Sequence, residues 1–298
     1  MKKTVSVLLV ILIISGLLSS CVGREETVQI GSVTVGKGIY EYFLSEAEKT
    51  NPDSPEKDAE KMTLRYVAVN TQFEGLGLEL NAAQKGEASK TANSYWHLFS
   101  DYYTERGISK NDVYFAALSD EYLKAIIRSI YDTDGTNPIP EKAIKDYFSE
   151  NYVAYKAIIE LLQTTDENGN SIDLSDEKIN SVTKQFNQMK KSIDGGTSFE
   201  KVNAAYQAKG LENEADSEQV MLLSASSKAF PTGTFEEIMK IKRKESGVFT
   251  AGKYIFLVER IGEFDDKSFY EQNRDDCLVA LGRQALEETL DSWAQAIR

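Results

Sequence analysis

Lys267–Arg298, KSFYEQNRDDCLVALGRQALEETLDSWAQAIR, carries the pattern that decides the fold. Phe269, Tyr270, Cys277, Leu278, Leu281, Ala285, Leu290, Trp293 and Ile297 form an apolar stripe at helical spacing. The segment therefore reads as one long amphipathic helix, and such a stripe must bury against something. The residues just before it read as a small α/β unit that is already complete. The helix is thus expected to fold back onto the N-terminal part of the chain. The α/β unit then interrupts a single discontinuous helical domain, and the fold class is α+β.

The α/β unit begins after Asp132–Pro140 (DTDGTNPIP), whose glycine, asparagine and two prolines mark a linker. A helix over 141–151 carries Ile144, Tyr147 and Phe148 on one side. Ala154–Leu162 fits a strand, although it also fits a helix. Thr164–Leu174 reads as a polar loop. Asp176–Asp194 is a helix with Ile179, Val182, Phe186, Met189 and Ile193 at three- and four-residue intervals, ended by Gly195-Gly196. Phe199–Lys209 and Phe235–Ile241 add two helices. Gln219–Leu223, Val248-Phe249 and Tyr254–Ile261 add three strands.

Upstream of the linker the chain reads as helical from 36 to 131. Helices are expected over Ile39–Lys49, from Pro55 to about Gly75, and over 88–105 and 109–131. Ser109 with Asp112 three residues on makes a capping-box pattern for the last. Val28, Ile30, Val33 and Val35 mark a short extended piece around Gly31.

Composition narrows the function. The 298 residues are 41% apolar, 27% charged and 10% aromatic, an ordinary globular balance. With 34 Lys and Arg against 47 Asp and Glu, the net charge is −13, which argues against nucleic acid as a partner. One histidine, His97, and two cysteines, Cys21 and Cys277, leave little material for metal sites or histidine-based catalysis. His97, beside Trp96, reads as a surface or packing residue. Cys277, within the apolar stripe, reads as a small buried hydrophobe. The acidic pairs Glu25-Glu26, Asp265-Asp266 and Asp275-Asp276 lack calcium-loop spacing and read as solvated surface. No metal and no cofactor is expected.

Met1–Ser20 has the form of a secretory signal: Lys2 and Lys3, then an apolar run from Val5 to Ile14 broken by Ser6, then small residues. Leu18-Ser19-Ser20-Cys21 resembles the lipobox of bacterial lipoproteins, in which the cysteine thiol is diacylated and the chain is cut just before it. The resemblance implies a lipid anchor at Cys21 and an extracytoplasmic place in the bacterial cell envelope. Two acyl chains bind a membrane stably, at about 0.8 kcal/mol per buried methylene, where one is marginal.

The whole layout resembles the foldase lipoproteins of the PrsA and SurA type, which pair a discontinuous helical chaperone domain with an inserted parvulin-type prolyl isomerase domain. The matching pieces are Ile139–Phe148, Gly196–Val202, Phe230-Pro231 through Glu237, Gly247–Phe249 and Gly252–Val258. The resemblance implies a signal peptide over 1–20 and an anchor and tether over 21–35. It implies a helical chaperone domain from 36–138 plus 265–298, a linker helix over 139–152 and a parvulin-like domain over 153–264. Active parvulins carry a histidine in the first strand and another in the last. Here the first-strand window reads Ala157-Ile158-Ile159-Glu160, and the last-strand position falls nearest Tyr254. Phe230, Phe235 and Tyr254 are the candidates for a degenerate proline pocket.

The expected partners are unfolded or nascent secreted proteins, with the membrane reached through the lipid. Of the 15 tyrosines, Tyr66, Tyr95, Tyr102 and Tyr103 are the peptide-binding candidates, because tyrosine offers apolar area with a polar rim. An active prolyl isomerase and a solute-binding lipoprotein are the alternatives. The latter needs two α/β lobes, which the helical stretch 36–131 argues against.

Overall fold

The computed structural model describes residues 26–208 and 219–298. The signal segment and Cys21 lie outside the described residues. The described chain divides into two compact units.

The first unit comprises 26–70, Asn81–Asp120 and Ser292–Arg298. It opens with a hairpin, β1 (Thr27–Ile30) paired antiparallel with β2 (Val33–Gly36). Gly31 turns the hairpin at φ +61°, and a side chain there would collide with the Arg298 carbonyl. The Ser32 N–H donates to that carbonyl at 2.9 Å, and the Ser32 hydroxyl donates to the Ile297 carbonyl at 2.5 Å. Ile30, Leu64 and Ala294 form one core, with Val28, Val33, Tyr40 and Ile297 against it. The tip of the terminal stripe is thus buried by the hairpin and by Leu64.

Helices α1 (Lys37–Thr50), α2 (Pro55–Gly75), α3 (Ala82–Glu105) and α4 (Lys110–Tyr131) follow. The start of α4 is capped as its sequence suggests. The Asp112 carboxylate accepts from the Ser109 N–H at 2.7 Å, and the Asp112 N–H donates to the Ser109 hydroxyl at 3.2 Å. Helix α3 begins earlier than residue 88. Asn81 and Gln84 exchange backbone N–H bonds with their side chains at 2.9 and 3.0 Å, a capping box that nucleates it.

The second unit comprises Thr71–Leu80 and Glu121–Asp291. Its sheet has four strands in the order β6-β3-β8-β7, all antiparallel: β3 (Tyr152–Leu161), β6 (Met221–Ser224), β7 (Ser246–Ala251) and β8 (Tyr254–Ile261). Helices α6 (Asp176–Asp194) and α7 (Phe199–Gln207) cover one face through Phe186, Phe199 and Tyr206, against Ile158, Ile255 and Leu257. The short α8 (Thr234–Lys240) sits on the other. The polar stretch expected as a loop contains a small hairpin, β4 (Gln163–Thr165) with β5 (Ser171–Asp173). Its strands are too short and too exposed to show apolar alternation. The Asp166 carboxylate ties its turn by accepting from Asn168 and Asn170 N–H groups at 2.9 and 2.7 Å.

The division falls at Asp120 and Asp291, not at the expected 138 and 265. The reason lies in the expected linker, which is pinned. The Asn137 N–H donates to Ile130 at 2.7 Å, and the Ile139 N–H to Tyr131 at 2.9 Å. The end of α4 is also buried against α9 (Lys267–Ile297). Gly282 meets Ile127 and Tyr131 so closely that any side chain would strike them. Arg128 grips Asp275 with two bonds, of 2.8 and 2.6 Å. Arg274 pairs with Asp132 and, on α5 (Glu141–Asn151), with Glu141, each at 3.1 Å. Cys277 is fully buried, and burial pushes its thiol up to about 11, so it packs as a hydrophobe. Among the described residues the only sheet larger than a hairpin is this four-stranded one.

Candidate functional site

Two surfaces bear the candidate residues, one in each unit. In the second unit, alternation along β3 sends Tyr155, Ala157 and Ile159 to the face beneath α8, and Ile158 to the opposite core. Glu160 accepts from the Tyr206 hydroxyl at 2.6 Å and belongs to that opposite side. From β8, Phe256 and Val258 complete the α8 face. Phe256 is fully buried and organises the aromatic residues around it. Phe249 stacks on it at 4.9 Å, Phe230 meets it edge-on at 5.8 Å, and Tyr254 lies at 6.3 Å. Phe235, from α8, packs into the same cluster. The three proline-pocket candidates are therefore brought together.

A cleft of about 450 Å³ runs beside them, lined from Leu223 to Lys228 and from Phe230 to Glu236. The Thr234 hydroxyl donates to the Pro231 carbonyl at 2.7 Å and fixes the loop, with Gly233 at φ +91° opening the helix. Pro231 packs against Gly252 at the β7–β8 turn, where a side chain would intrude on the ring. The site has apolar area and a rigid rim. Its lining also carries the hydroxyls of Ser224, Ser226, Ser227, Thr232 and Thr234 and the charged Lys228 and Glu236. Ala157 and Ile159 lie buried on the face beneath α8. Tyr155 is buried, and burial pushes its phenol up to about 12, so it is neutral at any ordinary pH.

In the first unit, the aromatic residues gather on α3. Ala88, Ala92 and Tyr103 are its buried positions, and backbone angles at Phe99 (φ −132°, ψ 16°) interrupt the helix. Tyr95, Leu98 and Phe99 are left facing solvent, at 44%, 68% and 40% exposure. Tyr95 stacks on Phe99 with centroids 6.5 Å apart. Two cations lie against rings of this helix. Lys49 lies 5.6 Å from the Phe99 ring and 5.9 Å from Tyr102, held by Glu46 at 2.7 Å. Arg106 lies 4.7 Å from the Tyr102 ring and is held by Glu48 at 2.7 Å.

The four tyrosine candidates separate. Tyr95 is exposed, Tyr102 is half-buried, and Tyr66 is half-buried against Phe43 at 5.7 Å. Tyr103 is a correction. At 1% exposure it is core, packed by Tyr42, Trp96, Phe99 and Tyr102, and burial raises its phenol to about 12. It has no surface with which to meet a peptide. His97 is exposed on the same helix.

The chain is similar to solved structures of the foldase protein PrsA. That from Streptococcus pneumoniae str. Canada MDR_19A is 13% identical over 90% of this chain and 92% of its own, with a TM-score of 0.43. That from Lactococcus lactis is 14% identical over 85% of each chain, with a TM-score of 0.39. PrsA from Bacillus subtilis is 12% identical over 92% of each, with a TM-score of 0.31. No family model matches the chain, and no curated protein does.

Leu98 and Phe99 are the surface residues that the sequence does not single out. They sit in the same three- and four-residue rhythm as Tyr95, Tyr102 and Tyr103, and that rhythm reads as core. The helix is interrupted at Phe99, between exposed Tyr95 and Leu98 and buried Tyr103, and nothing in the sequence marks that interruption.

Proposed function

We propose that this chain is a lipid-anchored extracytoplasmic foldase or holdase that binds unfolded secreted polypeptides. Its helical unit does the binding, and its parvulin-like module adds apolar surface with little or no isomerase activity. The observation that carries the reading is the exposed ridge Tyr95, Leu98 and Phe99, in which Tyr95 stacks on Phe99 and Lys49 lies against the Phe99 ring. Contiguous exposed apolar residues mark interaction sites. Rigid aromatic residues hold varied partners at low entropic cost. Neither feature requires a nucleotide or a metal. Aliphatic Ala157 and Ile159, in the first-strand window where active parvulins carry a histidine, support assigning little or no catalysis to the module. The barrier to prolyl rotation is about 18–20 kcal/mol, and lowering it takes groups that position and polarise the amide, not area alone.

The test is aggregation of a reduced secreted protein, followed by light scattering, with and without residues 22–298 of this chain. The fragment is expected to slow aggregation at near-equimolar ratio. The variant Tyr95→Ser/Leu98→Ser/Phe99→Ser is expected to lose most of that effect while keeping its helical circular dichroism. A wild-type fragment with no effect on aggregation removes the proposal.

A further inference from the structure

We infer that the α3 ridge selects cationic apolar segments, taking an arginine or lysine of its client on the Tyr95 ring while neighbouring apolar residues spread over Leu98 and Phe99. The inference rests on the binding role proposed for this ridge and names the chemistry of the segment bound. Three observations converge on it. The ridge already uses its rings as cation acceptors: Lys49 rests against Phe99 and Tyr102, and Arg106 against Tyr102, each tethered to a carboxylate. Both cations lie against Phe99 and Tyr102, Lys49 exposed and Arg106 half-buried. Tyr95 is 44% exposed and stacked on Phe99, and among the described residues no cation rests on its ring. An aromatic face open to solvent attracts an ammonium or a guanidinium, guanidinium more often. Finally, the chain carries −13, so a basic segment is drawn in and an acidic one repelled before either touches the ridge.

These terms separate experimentally. Long-range attraction is screened beyond about 10 Å at 0.1 M salt, whereas the ring contact is short-ranged and survives it. At an exposed site the contact amounts to roughly a two- to fivefold difference in affinity. The probes are two fluorescent peptides with the same leucines and phenylalanines in a Gly/Ser background, one interspersed with arginines and the other with glutamates. Binding to the full chain is read by anisotropy. The arginine peptide is expected to bind more tightly, with a ratio that falls as salt is added and levels off at roughly two- to fivefold. Tyr95→Leu keeps apolar area but removes the π-face, and is expected to abolish the residual ratio. Tyr95→Phe keeps the face and is expected to preserve it. Equal binding of the two peptides overturns the inference while leaving general polypeptide binding intact. A residual ratio unchanged in Tyr95→Leu also overturns it. Failure of both peptides to bind removes the binding role and the inference together.

Discussion

Phe256 and Tyr95 are both aromatic, and their environments give them opposite roles. Phe256 is fully buried, with Phe249 stacked on it and Phe230 against its edge. Phe256→Ala is expected to cost about 3–5 kcal/mol, the usual range for emptying a buried phenylalanine site. Urea unfolding followed by near-UV circular dichroism measures it, and a loss below about 1 kcal/mol would show that the cluster does not depend on this ring. Tyr95→Ser, at an exposed position, is expected to change stability by no more than about 0.5 kcal/mol. The contrast also marks what was legible in the sequence. Phe230, Phe235 and Tyr254 could be named together because a family resemblance supplied their neighbourhood. Tyr95 and Tyr103 could not be told apart. They lie eight residues apart on one helix, and spacing alone says that residues share a face, not which face the fold covers.

Among the elements, the junction of α4, α5 and α9 shows how a segment that reads as a flexible joint becomes a clasp. Glycine and prolines placed the turn at 132–140 correctly. They said nothing of its backbone bonds to Ile130 and Tyr131, nor of the ion pairs on either side. Burial alone would push the Asp132 carboxyl up, but the Thr133 N–H and Arg274 outweigh it and hold it below the usual carboxylate range. Burial likewise opposes the Tyr270 hydroxyl and Arg274 at Glu141, and loses. A carboxyl lowered in the folded state stabilises the fold above its unfolded value, and that contribution disappears as pH falls through the folded value. The urea midpoint is therefore expected to drop between neutral pH and about pH 3. Arg274→Met should be less stable than wild type at neutral pH and show a shallower drop. An identical pH profile in the variant would mean that Arg274 does not hold these carboxylates. The capping boxes at Ser109 and Asn81 are legible to different degrees for a plain reason. The first follows a clear turn, whereas the second lies inside a loose polar stretch that gives no reason to look for a start.

Across the whole molecule, charge and anchorage set the behaviour. The chain carries −13, so on balance an anionic membrane surface repels it. If the chain is membrane-bound, Cys21 is the proposed attachment. Cys21→Ala is expected to move the protein from the membrane pellet to the soluble fraction on cell fractionation. Retention of the variant in the pellet would show that something other than lipid on Cys21 holds it. The terminal stripe is legible as a helix needing a partner, because its period is long and regular. Where each part of it would be buried depends on the packing of α4 and the first hairpin, which no local pattern encodes.

The bonds from Ser32 to Ile297 and Arg298 join parts of the chain some 265 positions apart. Pairings that distant form late, since the intervening loop must close before they return anything. A ribosome that has delivered the first hundred residues has therefore delivered an unfinished domain, with Ile30 and Leu64 still lacking the cover that Ala294 brings. Until residues 292–298 arrive, the first unit lacks the segment that closes its core, whatever the second has already formed.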